Sequence, residues 1–160
     1  MENKLFVSVS PHIAKTDSIR RIMWQVNLAL LPAAAASVYI FGPRAAWVIL
    51  TGILSAVTTE ALILKGRGQK SAVSDGSAFM TGLLLAFNLP AHAPLWMVAI
   101  GAIFSIAIAK QAFGGIGHNI FNPALAGRAF LMAAWPQHMT SFTKPMVYDA
   151  VTQATPLMLL

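Results

Sequence analysis

Hydrophobic positions in this chain are gathered into long runs free of Asp, Glu, Lys and Arg: Ile22 to Pro43, Gly76 to Ala109, Gln111 to Gly127 and Ala129 to Thr143. One further run, Ala45 to Leu64, is broken only by Glu60. A helix rises 1.5 Å per residue and needs about 20 mostly apolar residues to cross the hydrocarbon core of a bilayer. The first two runs reach that length, and the last two are shorter.

Punctuation divides the runs into about five helices. Residues 1–21 form a polar, basic entry with a Ser10-Pro11-His12 turn and an N-cap at Asp17 or Ser18. Helix one is predicted over Ile22–Phe41, kinked at Pro32 where a backbone donor is missing. Gly42-Pro43 turns the chain into helix two, Ala45–Leu64, which the loop Lys65 to Lys70 ends. Ser77–Leu89 is too short for an ordinary span. It reads either as a half-helix meeting a site near the midplane or as a tilted helix that begins near Ser71. A fourth helix fits Leu95–Lys110 and stops at Phe113-Gly114-Gly115-Ile116-Gly117. A shorter fifth runs over Ala124–Trp135, and beyond Pro136 the chain turns polar.

Composition agrees with lipid as the solvent. Apolar residues make up 57% of the 160 positions and charged ones 10%, against about 25% charged in ordinary soluble domains. Several such helices in so short a soluble chain would leave too little polar surface to cover them. With no cysteine, disulfides, thiolate metal sites and Cys nucleophiles are excluded. His12, His92, His118 and His138 lack the spacing of a helical metal pair. The net charge of +6 reads as membrane topology rather than nucleic-acid binding, because Lys and Arg mark cytoplasmic loops. The tail (Lys4, Lys15, Arg20, Arg21) and the Lys65–Lys70 loop (Lys65, Arg67, Lys70) are expected on the cytoplasmic side. No cleavable signal peptide is expected, since the start has no apolar core before a small-residue site. The resulting organisation is a cytoplasmic tail over 1–21, a membrane bundle over 22–135, and a polar segment over 136–160. Its side of the membrane depends on how many helices cross.

Three local patterns carry candidate chemistry, and none is a hydrolase triad, P-loop or dinucleotide fingerprint. Gly114-Gly115-Ile116-Gly117 lacks a preceding strand and a following Walker lysine, so it reads as a tight turn. Asn119-Ile-Phe-Asn122-Pro123 followed by Gly127-Arg128 supplies an N-cap and a first-turn proline. Two amides and a guanidinium at membrane depth also need partners. A helix N-terminus attracts anions, so a phosphate or a reduced flavin ring suits Asn119, Asn122 or Arg128.

The third pattern, Asp149-Ala-Val-Thr152-Gln-Ala-Thr155-Pro156-Leu157, resembles a flavinylation motif. It is that of the family uniting the D subunit of Rnf-type ion-pumping electron-transfer complexes with the B subunit of the Na+-translocating NADH:quinone oxidoreductase. The likeness continues, in order, through Ser10-Pro11-His12, Ile22-Met23, Ala29 to Ala33, Asp75-Gly76-Ser77-Ala78, Thr81-Gly82-Leu83, Asn88-Leu89-Pro90 and Phe113 to Arg128. Gln153 stands where the family often has Gly. The short N-terminal tail resembles the Rnf side of the family, since the quinone-reducing relative carries a longer extension.

The resemblance implies an all-α membrane protein, half of a two-repeat, transporter-like bundle with about five spanning or partly re-entrant helices. It implies FMN joined through its phosphate to the hydroxyl of Thr155 by a separate flavin transferase. It also implies a place in the cell inner (plasma) membrane, with the N-terminus cytoplasmic, beside the A, B, C, E and G subunits of an Rnf complex and membrane lipid, without nucleic acid. The function implied is that of one subunit in an ion-translocating ferredoxin:NAD+ oxidoreductase, not catalytic alone. Thr155 itself reads as an attachment point, because only Asp149 lies near and no His or Lys sits at a base-like spacing. Such D subunits are about twice as long, so the chain is expected to be their truncated first half.

Other readings remain open at this level. One is the quinone-reducing B subunit; another is a urea- or ammonium-like channel without a redox group, for which intramembrane Glu60 and Arg128 are the ion-path candidates. A third is a scaffold subunit with no redox group.

Overall fold

The computed structural model describes residues 18–68 and 73–141, whose regular structure is all helical, with no strand among them. Helix α1 spans Ile19–Phe41 and α2 spans Pro43–Gly66. At 23 and 24 residues, each reaches about 35 Å, enough to cross a bilayer. Helix α1 starts three residues before the expected Ile22, because Ser18 caps it by accepting a hydrogen bond from the Arg21 amide. Its helical backbone passes through Pro32 without interruption. Gly42, at φ 80°, provides the corner between α1 and α2, and Pro43 opens α2 where a missing N–H costs nothing.

The ambiguity over the third segment resolves toward the short form. A 3-10 turn, Val73–Asp75, leads to Gly76 at φ 80°, and α3 covers Ser77–Phe87 only. The left-handed Gly76 prevents a continuous helix from near Ser71, and Asp75 Oδ1 accepts from the Ser77 amide at the new helix start. Helix α4 covers Leu95–Ile106 and then widens into a π-turn, Ala107–Gln111, so the expected single helix to Lys110 is two elements. Helix α5 spans Pro123–Ala134, and one turn of helix, α6, follows at Pro136–Met139 where only polar chain was expected.

The helices pack on small residues. A Cβ on Gly82 would stand 2.5 Å from the Gly52 carbonyl oxygen, so α2 and α3 touch backbone to backbone. Helices α4 and α5 meet in the same way, with the Ser105 hydroxyl and the Gly101 carbonyl filling the space over Gly127. Lipid tails are as apolar as leucine, so close van der Waals approach through small residues is what holds such helices together. Leu83, Leu85, Met97, Val98, Ile106 and Leu131 fill the core. Helix α1 buries only Asn27 and leaves Ile22, Leu28, Leu31 and Tyr39 exposed. A surface this apolar is incompatible with water as the surrounding solvent and suits hydrocarbon. The described residues are those of a membrane protein.

Candidate functional site

The bundle has a basic end, with Lys65 in the last turn of α2 and Arg67 just after it, and an opposite end at the Gly42 corner and the α3–α4 turn. The polar chemistry inside it lies toward the basic end. Glu60 on α2 is 1% exposed and Lys110 in the π-turn is 2% exposed. They form an ion pair at 2.6 Å. Lys110 Nζ also donates to Ser77 Oγ at 2.6 Å, and Gln111 Nε2 donates to Glu60 Oε1 at 2.7 Å. Arg67 closes the cluster at the rim, donating to the Gln111 side-chain and backbone oxygens at 3.3 and 3.0 Å. Glu60 Oε2 is buried and has no hydrogen-bond partner.

Each element contributes for a local reason. The π-turn inserts an extra residue per turn, which brings Lys110 and Gln111 together toward α2. The break at Gly76 makes Ser77 the first residue of α3, so its first-turn hydroxyl is free to accept from Lys110. Asn27 on α1 holds that break, donating to the Gly76 carbonyl at 2.9 Å while Trp24 donates to the Ser74 carbonyl at 3.2 Å. The cluster is electrically neutral as a pair. Charges cannot be left single at this depth without a large solvation penalty.

Two hollows flank this core. One, of about 640 Å³, is apolar and aromatic, and is lined by Phe104, Ile108, Phe113, Phe121, Asn122 and Phe130 among others. The Phe104 and Phe130 rings stack there, with centroids 4.3 Å apart and planes 4° from parallel. The other is a groove of about 630 Å³ toward the opposite end, walled by α1, α2 and the α3–α4 turn. Arg128 reaches into it and donates to Asn88 Oδ1 at 2.9 Å. That bond uses one of five guanidinium N–H groups.

The three described residues expected to touch a cofactor do not converge. Asn122 spends its side-chain oxygen on the start of α5, accepting from the Ala124 and Leu125 amides at 3.0 and 3.4 Å. Its residue lines the aromatic hollow, whereas Arg128 lines the other groove. Asn119 Oδ1 is buried and unpartnered. Gly114, Gly115 and Gly117 all have positive φ, at 108°, 90° and 85°, as a tight turn requires. Asp149, Thr152 and Thr155 lie outside the described residues.

Lys110, Gln111, Ser77 and Asn88 were not singled out as site residues by sequence reasoning. A signal did exist. Glu60 is the one charge between Ala45 and Leu64, and Lys110 is the one charge between Gly76 and Gly127. Two lone opposite charges in neighbouring apolar helices ask for each other. The partnership also settles Glu60 as an ion-paired carboxylate rather than an isolated one.

The described geometry can hold an apolar ring in the aromatic hollow and an anionic group at Arg128. Comparison with known proteins narrows the chemistry. A family model described as NQR2, RnfD, RnfE matches residues 6–160. The D subunit of a proton-translocating ferredoxin:NAD(+) oxidoreductase complex from Clostridium ljungdahlii is 51% identical over 158 residues, 98% of this chain and 48% of that relative. The D subunit of the Na(+)-translocating counterpart from Acetobacterium woodii is 52% identical over 159 residues, 99% of this chain and 50% of the relative. The D subunit of an ion-translocating oxidoreductase complex from Methanosarcina acetivorans is 44% identical over 141 residues, 88% of this chain and 49% of the relative. The chain thus spans about half the length of the curated relatives it matches.

Proposed function

Since the chain belongs to the NQR2, RnfD, RnfE family, we propose that it forms the first half of the membrane D subunit of an ion-translocating ferredoxin:NAD+ oxidoreductase. In this reading it relays electrons through FMN bound covalently to Thr155, and other subunits of the complex supply and accept them. The observation that carries it is identity of 51 and 52% to two such D subunits over nearly every residue of this chain. The same relatives favour the ferredoxin-linked complex over the quinone-reducing member of the family.

Residues of this chain suit an FMN at that end. Met139, the last residue of α6, lines the Arg128 groove, and Thr155 follows it in the sequence. Arg128 keeps free donors for a phosphate or a reduced ring, which are anionic. Ala36, Ile40, Ala45 and Val48 give the same groove apolar walls. Thr155 would hold the phosphoester, with Asp149 and Thr152 as the recognition residues read by the flavin transferase. Asn122 lines the aromatic hollow, separate from the Arg128 groove, so an FMN seated at Arg128 leaves the candidate contacts at Asn119 and Asn122 unused. Bound FMN supplies the redox chemistry, and the protein sets its position and potential. The proposed setting is the inner membrane, with the basic end of the bundle cytoplasmic.

The test is the protein made together with its flavin transferase, denatured and viewed in a gel under ultraviolet light. Wild type is expected to fluoresce and Thr155→Ala to be dark, with the modified Thr155 peptide found by mass spectrometry. A dark wild-type band would remove the flavin relay and leave the channel reading.

A further inference from the structure

The π-turn Ala107–Gln111 has two working faces. Lys110 and Gln111 point to Glu60, while Ile108 and Ala109 line the aromatic hollow, followed by Phe113 beyond the turn. Its wide turn is closed by the Ala112 amide donating to the Ala107 carbonyl at 3.0 Å, and the Gly115 amide returns to the Lys110 carbonyl at 3.0 Å. A π-turn is less favourable than the α-helix it interrupts, so something outside it must hold the extra residue in place. Reversion to α register would rotate the residues that follow it, as far as the loop before α5, by about 100° and advance them by about 1.5 Å. Lys110 and Gln111 could not both stay on Glu60.

We infer that the π-turn is a two-state latch, held in register by Glu60–Lys110 inside and Arg67–Gln111 at the rim, and that it sets the wall of the aromatic hollow. The groups that face the latch are Glu60 and Arg67 from the α2 side and Ser77 from α3. A buried ion pair adds little net stability over an apolar packing, but it does specify register, because a slipped pair leaves two unsolvated charges. Glu60 Oε2 lacks a partner, so the carboxylate is anchored through Oε1 alone and the lock rests on few bonds. By linkage, an occupant of the hollow that prefers the π register must strengthen the pair as much as the pair strengthens its binding. The latch therefore joins a charged site to an apolar one through five residues. It is separate from the proposed flavin at Thr155 and does not depend on it.

The test uses the complete protein in its membrane complex, with amide exchange followed over residues 107–118. The double variant Glu60→Gln/Lys110→Met removes both charges at similar volume, and is expected to speed exchange there by about tenfold while leaving α5 unchanged. Arg67→Gln, at the exposed rim and without a buried charge, is expected to give about fivefold. These 160 residues contain no cysteine, so Phe113→Cys reports the wall of the hollow by its maleimide labelling rate, which should change by about fivefold in the double variant. Exchange unchanged in Arg67→Gln or in the double variant overturns the latch. So does a uniform rise across α2 to α5, and an unchanged labelling rate at position 113 overturns its link to the hollow. Should the double variant fail to assemble, Arg67→Gln decides.

Discussion

Gly52 on α2 and Gly82 on α3 meet with so little room that a Cβ on Gly82 would lie 2.5 Å from the Gly52 carbonyl oxygen and 2.7 Å from the Ile53 Cα. This crossing sets the depth of α3, and with it the position of Ser77 beneath Lys110. Gly82→Val should therefore lower the thermal stability of the assembled protein by about 1–3 kcal/mol or more, because backbone must move and not a side-chain tip. Gly66→Ala, with nothing within 4 Å of its Cβ, is the matched control and should change stability little. Equal stability of the two variants in a detergent unfolding series would contradict the crossing.

Removing one partner of Glu60–Lys110 leaves a buried charge. Lys110→Met and Glu60→Gln should each cost about 3–5 kcal/mol, and the double variant should recover much of that. Denaturant unfolding of all four forms gives the coupling directly. Additive losses would show that the two side chains do not depend on each other.

The hydrogen bonds to Asn122 Oδ1 predict a capping phenotype. Asn122→Ala should lose about 1 kcal/mol of stability, whereas Asn122→Asp, an equally good cap, should lose little. The pair also separates capping from ligand contact. Asp keeps the acceptor but adds a negative charge and loses the amide donors, so a change in flavin spectrum with Asp at unchanged stability would reveal a second role.

Arg128→Gln should leave covalent attachment at Thr155 intact in denatured gels and shift the potential of the proposed flavin downward. A cation stabilises the anionic reduced form, and its removal favours the oxidised one. Arg128→Lys should fall between, keeping charge and losing the fork that meets Asn88. A potential identical in all three proteins would place the flavin away from this groove.

Much of the architecture was legible from residue pattern. The corners at Gly42-Pro43 and at Gly114 to Gly117 were marked by backbone chemistry that only a few residues tolerate, and the structure turns there. The short third helix was readable as one of two options, because Asn88-Leu89-Pro90 fixed its end but nothing local fixed its start. Gly76 decided it, through a left-handed φ held by Asn27 from 49 residues away. The π-turn was invisible, since Ala107 to Gln111 contains no residue that forbids an α-helix. Its cause lies in Glu60 on α2 and in Arg67 just beyond the end of that helix.

The sequence by itself determined the solvent, the two long helices, the main corners and the family, because apolar run length, turn residues and ordered motifs are properties of neighbouring positions. Only tertiary structure decided which distant polar groups meet: Lys110 with Glu60 across 50 residues and Arg128 with Asn88 across 40. In a bundle packed glycine against glycine, a fraction of a turn in one helix chooses the partner. Such rotations are fixed by the packing of all the helices at once, and no local stretch of residues encodes them.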